Sequence, residues 1–162
     1  MGAGKTTLGR KLAETLNIPF FDSDQEIEKE SQMKIKDLFE QHGELFFREK
    51  EKEFIQSLFM KTNFVLATGG GLPCFNNQMN ELNSLGTTVY LNNSVEIIIQ
   101  RLLNDNQHRP LIKDMTEKEL SEYISAKMKD REPTYLRSKL VLQESDQQVD
   151  ALISQLGFHR KS

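Results

Sequence analysis

The chain has 162 residues, of which 37% are hydrophobic and 28% charged, enough for one domain with a real core and too much for disorder. Its 21 basic side chains against 24 acidic ones leave a formal net charge of -3, which excludes the broad basic surface of a nucleic-acid binder. No window approaches the roughly 20 apolar residues of a membrane-spanning helix, the N-terminus lacks the apolar stretch of a secretory signal, and Cys74 as the one cysteine fits a reducing compartment. A cytoplasmic protein without nucleic-acid or membrane partners is therefore expected; that it acts as a monomer is a separate expectation.

In chain order, Leu8, Leu12, Ala13 and Leu16 recur at helical spacing and predict a helix over about 5–16. Residues 18–21 read as a short strand feeding a loop at Asp22. Two helical patterns follow, one with Ile35, Leu38 and Phe39 that stops before Gly43, the other with Phe47, Phe54, Ile55, Leu58 and Phe59. Residues 64–67 form a continuous apolar run of the kind a buried parallel strand shows. Residues 87–91 predict a third strand, and Asn93 with Glu96 a cap for the helix that carries Val95, Ile98, Ile99 and Leu102. A polar segment, 104–116, precedes a capping box of Thr116 and Glu119, which opens a helix ending near Pro133. Residues 140–142 are a last strand, and Val149, Leu152, Ile153 and Leu156 mark a closing helix. Strands alternating with helices predict an α/β fold with a parallel sheet covered on both faces, a three-layer sandwich.

Six of the nine glycines fall in two places, Gly2, Gly4 and Gly9 near the start and Gly69, Gly70 and Gly71 in a row. The first group lies in Met1-Gly-Ala-Gly-Lys-Thr-Thr7, which matches the end of the phosphate-loop pattern G-x-x-x-x-G-K-[ST]. Small residues let backbone N–H groups wrap phosphate oxygens, and the helix behind them aims its positive end at the anion. Lys5 adds a point charge, and the Thr6 hydroxyl is a ligand for Mg²⁺. The first glycine of the pattern and the strand that leads into it would precede Met1, so Met1 is expected to be an internal methionine of a longer chain whose first, central strand is missing here. Taken alone, half a motif is also compatible with a small-residue helix start and an incidental lysine.

Asp22 and Asp24 stand two apart just past a strand end, where ligands sit in α/β sheets. One carboxylate near a metal and one receiving a hydroxyl proton would suit phosphoryl transfer; taken by itself, the pattern reads rather as a turn and helix cap. Arg48 and Arg131 are of the type that binds carboxylates bidentately, although each alone is an ordinary surface residue. Arg109 lies in the polar segment, which is either a lid or a plain loop. The run from Arg48 to Glu53 reads as the solvated face of a helix. Cys74 reads as a small buried hydrophobe, and His42, His108 and His159 lack metal-ligand spacing.

Taken together, Met1-Gly-Ala-Gly-Lys-Thr-Thr-Leu-Gly-Arg10, Phe21-Asp-Ser-Asp24, Gly43-Glu-Leu-Phe-Phe-Arg48, Thr68-Gly-Gly-Gly71, Arg109-Pro-Leu111 and Arg131-Glu-Pro-Thr-Tyr135 resemble the shikimate kinase family in order and spacing. The phosphate loop alone is shared by many families; the series as a whole is specific. The resemblance implies a P-loop, nucleoside-monophosphate-kinase-like fold with a five-strand parallel sheet. It implies a single kinase domain over 1–162, with a substrate-binding helical segment at about 22–60 and a lid at about 104–117. It implies transfer of the γ-phosphoryl of ATP to the 3-hydroxyl of shikimate, with Mg²⁺. By matching position, Gly2, Ala3, Gly4, Lys5, Thr6, Thr7 and Arg109 would bind ATP, and Thr6 and Asp22 the metal. Asp24, Arg48, Gly69, Gly70, Gly71 and Arg131 would bind shikimate, with Lys5, Asp24 and Arg109 catalytic and Phe39 and Phe47 as apolar walls. The rival from another class is a nucleotide-binding module without turnover.

Overall fold

The computed structural model describes residues 2–104 and 115–157. Helix α1 spans Lys5–Leu16, with Gly4 at its N-cap in a left-handed conformation (φ 86°). It ends at Asn17, also left-handed, where the N–H groups of Asn17 and Ile18 return to the carbonyls of Glu14 and Ala13. Strand β1 (Phe20–Asp22) runs directly into helix α2 (Ser23–Ser31). A helix stands where residues 18–21 were expected to feed a loop, and it opens on the cap that Asp22-Ser-Asp24 suggested: the Asp22 carboxylate accepts from the backbone N–H groups of Asp24 and Gln25. Only Ser23 and Ile27 of α2 are buried, so it has no apolar stripe for a periodicity to reveal.

Helix α3 (Ile35–Leu58) breaks at Gly43 (φ 81°, ψ 173°), so the two predicted helical patterns are its two segments. Strand β2 (Val65–Ala67) and a 3-10 turn at Leu72–Cys74 lead to helix α4 (Gln78–Leu85), which the sequence did not predict. Strand β3 (Val89–Leu91), helix α5 (Val95–Asn104), helix α6 (Glu117–Tyr135), strand β4 (Leu140–Leu142) and helix α7 (Val149–Gln155) complete the order. The predicted capping box is present at α6, with the Thr116 hydroxyl accepting from Glu119 N–H and the Glu119 carboxylate from Thr116 N–H. The predicted cap of α5 is not: Ser94 Oγ accepts from Ile97 N–H, and Asn93 is buried and donates to the carbonyls of Leu91 and Ala3.

The four strands form two parallel pairs, β1 with β2 and β3 with β4, rather than one continuous sheet among the described residues. Parallel pairing demands helical crossovers, supplied by α2 and α3 in the first pair and by α5 and α6 in the second. One core cluster lies under α2, α3 and α4 (Ile27, Leu38, Phe47, Ile55, Leu58, Leu72). A second joins α1, β3, β4 and α7 through Leu12, Leu91, Leu142 and Leu152, and a third packs α5 on α6. Ile55 and Leu58 are fully buried, and truncating either to alanine should cost about 2–5 kcal/mol.

Candidate active site

The register of the first pair sets Asp22 opposite Ala67. The chain after β1 and the chain after β2 therefore leave the sheet side by side, which brings Asp22-Ser-Asp24 against Thr68-Gly-Gly-Gly71. Ser23 ties the two together, its hydroxyl accepting from Gly69 N–H at 2.7 Å. A Cβ placed on Gly69 would run into Asp24 Oδ1, and one on Gly71 would come within 2.9 Å of an Arg48 terminal nitrogen. The glycine run is thus a wall without side chains, against which a carboxylate and a guanidinium both rest. Between them, the Gly70 carbonyl accepts from the Tyr135 hydroxyl at 2.6 Å, which anchors the end of α6 to the same wall.

Asp24 is partly buried, and desolvation raises its pKa above the usual aspartate value. The neighbouring Asp22 charge pushes the same way, while the Lys5 ammonium and the Ser23 hydroxyl pull it back. Lys5, at the start of α1, therefore shares an electrostatic site with Asp24. Beside them, Thr6 Oγ1 donates to Asp22 Oδ2 at 2.8 Å, while Asp22 Oδ1 caps α2. Asp22 is both the helix cap and a member of the phosphate-loop cluster. Its carboxylate and the Thr6 hydroxyl are hard oxygens in contact, a pair that fits Mg²⁺, which takes few protein ligands and completes its shell with substrate phosphates and water. Among the described residues no group of three or more His, Cys, Asp or Glu side chains is placed to hold a metal by itself.

The rest of the loop is fixed by its neighbours. Gly2 packs tightly on Ile98 and Leu102 of α5. The Ala3 carbonyl accepts from Asn93 Nδ2 at 3.3 Å and from an Arg101 terminal nitrogen at 3.1 Å. Thr7 is exposed on the first turn of α1. Arg101 is a cation at the loop that the sequence had not singled out.

Arg48 is not on a solvated face, and neither is Glu51; this corrects the expectation for the run from Arg48 to Glu53. Arg48 is buried and stacks on the Phe75 ring at 3.8 Å to the centroid. One terminal nitrogen donates to Glu51 Oε2 at 2.7 Å, and Glu51 is only 1% exposed. Its Nε and other terminal nitrogen donate to Glu44 Oε1 at 3.2 and 2.8 Å. Burial pushes the Glu51 carboxyl up and Arg48 offsets part of that rise, with Arg131 adding a smaller pull in the same direction. Arg131 also acts on Cys74 and Tyr135, where burial raises both pKa values and the guanidinium opposes the rise. Arg48 and Arg131 thus reach one locality from α3 and α6. Cys74 is half-buried there, not fully buried. Phe39 and Phe47 stack at 4.8 Å, with Phe47 in the core cluster beneath Arg48. Residues 105–114 of the expected lid, Arg109 among them, lie outside the described residues. The one signal that pointed to Glu51 was its spacing, three residues from Arg48 on a helix.

The family model described as shikimate kinase matches residues 1–157. A shikimate kinase of Azobacteroides pseudotrichonymphae is 42% identical over 142 residues, 87% of this chain and 84% of that protein. The crystal structure of shikimate kinase from Bacteroides thetaiotaomicron superposes with a TM-score of 0.88 at 35% identity, covering 96% of this chain and 91% of that one. Shikimate kinase from Acinetobacter baumannii in complex with shikimate gives a TM-score of 0.80 at 36% identity, over 96% and 84% of the two chains. The α/β, P-loop fold expected from the sequence is the fold of these neighbours.

Proposed function

The chain belongs to the shikimate kinase family, and we propose that the site between the two glycine clusters is where it passes the γ-phosphoryl of ATP to the 3-hydroxyl of shikimate. The observation that carries this reading is the shared wall: Asp24 and Arg48 both press on Gly69–Gly71 from opposite ends. Shikimate has one carboxylate and three hydroxyls. A guanidinium at one end of a side-chain-free surface and a carboxylate at the other match that distribution of groups.

Gly2, Ala3, Gly4, Lys5, Thr6 and Thr7 hold the phosphates through backbone N–H groups, with Lys5 on the outer oxygens. Arg48 and Arg131 hold the shikimate carboxylate, and Gly69, Gly70 and Gly71 lie beside the ring. Asp24 accepts the proton of the 3-hydroxyl as its oxygen bonds to the γ-phosphorus. The bond from that phosphorus to the oxygen bridging to the β-phosphate breaks, and ADP leaves with the electron pair. The raised pKa of Asp24 suits this role, since a carboxylate with greater proton affinity is the better acceptor. Thr6 and Asp22 are the residues that would hold Mg²⁺, which when bound supplies charge neutralisation at the phosphates. Arg109 is assigned to neutralise charge on the transferring group from a lid over about 104–117, with 22–60 as the substrate-binding segment of one kinase domain. The protein acts as a cytoplasmic monomer, without nucleic acid or membrane, in the shikimate pathway to aromatic amino acids. Among the described residues no helix is long and apolar enough to cross a membrane.

The test is coupled ADP release with shikimate, gluconate, AMP or no acceptor. ADP production that depends on shikimate is the expected result; equal release with every acceptor, or none with shikimate, would reject the assignment.

A further inference from the structure

Arg48 donates to two carboxylates of its own helix, to Glu51 from one terminal nitrogen and to Glu44 from Nε and the other. The two partners differ in one physical respect. Glu51 is 1% exposed, so turning it away would leave a buried charge unpaired. Glu44 is 53% exposed, sits immediately after the break at Gly43, and holds the Nε edge through a single oxygen, so its carboxylate can turn to water at little cost. The edge it covers, Nε with a terminal nitrogen, presents two parallel N–H donors and so can pair bidentately with a carboxylate. Stacking on Phe75 fixes the guanidinium from one face, and Gly71, without a side chain, leaves room beside its terminal nitrogens, where a Cβ would crowd both.

We infer that Glu44 is a built-in competitor for the substrate's carboxylate: it occupies the Nε edge of Arg48 in the free protein and is displaced when shikimate binds, while Glu51 stays in place. This rests on the assignment of Arg48 as a carboxylate clamp. Glu44 sets substrate affinity by the strength of the contact it gives up. An acceptor without a carboxylate has nothing with which to displace it.

The test is calorimetric titration of the whole protein with shikimate and with its carboxamide, in wild type, Glu44→Gln, Glu44→Ala and Arg48→Ala, with each variant's Tm recorded. Both Glu44 variants should bind shikimate about two- to five-fold more tightly, the scale of an exposed i,i+4 ion pair, and should bind the carboxamide as wild type does. Weaker or unchanged shikimate binding in both Glu44 variants, with Tm held, would overturn the inference and make Glu44 a support for Arg48 or a bystander. If Arg48→Ala leaves the preference for shikimate over its carboxamide intact, the clamp assignment itself fails, and that outcome is separate from any effect at Glu44.

Discussion

Glu51 Oε2 accepts from Arg48 at 2.7 Å one helical turn away, and the pair is sealed under Phe75 and the glycine wall. Removing one member of such a pair strands the other. Glu51→Ala should lower stability by about 3 kcal/mol, read as a shift in the urea midpoint, and should also weaken shikimate binding because Arg48 loses its fixed edge. A loss under about 0.5 kcal/mol would mean that Arg48 finds another partner at no cost.

Arg48→Ala and Arg131→Ala should chiefly raise the shikimate KM, by the equivalent of about 1.5–3 kcal/mol for a charged hydrogen-bonded contact. Steady-state kinetics with each substrate varied in turn checks this. An effect confined to the ATP constant would reassign both arginines.

Neither Gly69 nor Gly71 is in the left-handed region, so alanine is compatible with the backbone at both. What alanine would do is occupy the space of Asp24 or Arg48. Gly69→Ala should lower kcat and Gly71→Ala should raise the shikimate KM, each with a stability loss of about 1–3 kcal/mol from crowding. Interchanged effects, or none, would show that the wall does not position these side chains.

Asp24 has a folded pKa above its unfolded value, and the sign follows from that direction. Its favourable contribution to stability is present below the unfolded value of 3.8 and is lost as pH rises through the folded value, so at neutral pH the ionised group opposes folding. Asp24→Asn should therefore raise Tm at neutral pH while sharply lowering kcat. The acid limb of the wild-type kcat profile should lie above the ordinary aspartate range. A variant that is less stable at neutral pH and retains its kcat would contradict both expectations.

Asp22 serves two roles that one substitution separates. Asparagine caps a helix as well as aspartate does, so Asp22→Asn should keep Tm nearly unchanged while activity falls and more Mg²⁺ is needed. Asp22→Ala should lose both, with about 1 kcal/mol from the cap. Equal activity in Asp22→Asn and wild type at limiting Mg²⁺ would remove Asp22 from the metal.

Much of the architecture was legible because it rests on local signals. Leu8, Leu12, Ala13 and Leu16 marked α1, and Thr116 with Glu119 marked the start of α6, since periodicity and capping act within a few residues. Helix α2 was legible only at its start, where Asp22-Ser-Asp24 reads as a helix cap; it buries only Ser23 and Ile27, too few for a periodicity. The site was legible in its residue types but not in its pairings. The charged run from Arg48 to Glu53 looks like a solvated face because such runs are normally solvated. Burial of Arg48 and Glu51 depends on Phe75 and Gly71, which come from a distant part of the chain. The roles of Ser23 and Arg101 likewise depend on contacts across 46 and 98 residues.

The most direct test of the central claim is identification of the product by phosphorus NMR and mass after incubation with ATP, Mg²⁺ and shikimate. The account predicts ADP and a single phosphate monoester on the 3-hydroxyl of shikimate in equal amounts, and loss of that product in Asp24→Asn. ADP with free phosphate and unmodified shikimate, or a phosphate at another hydroxyl, would contradict it.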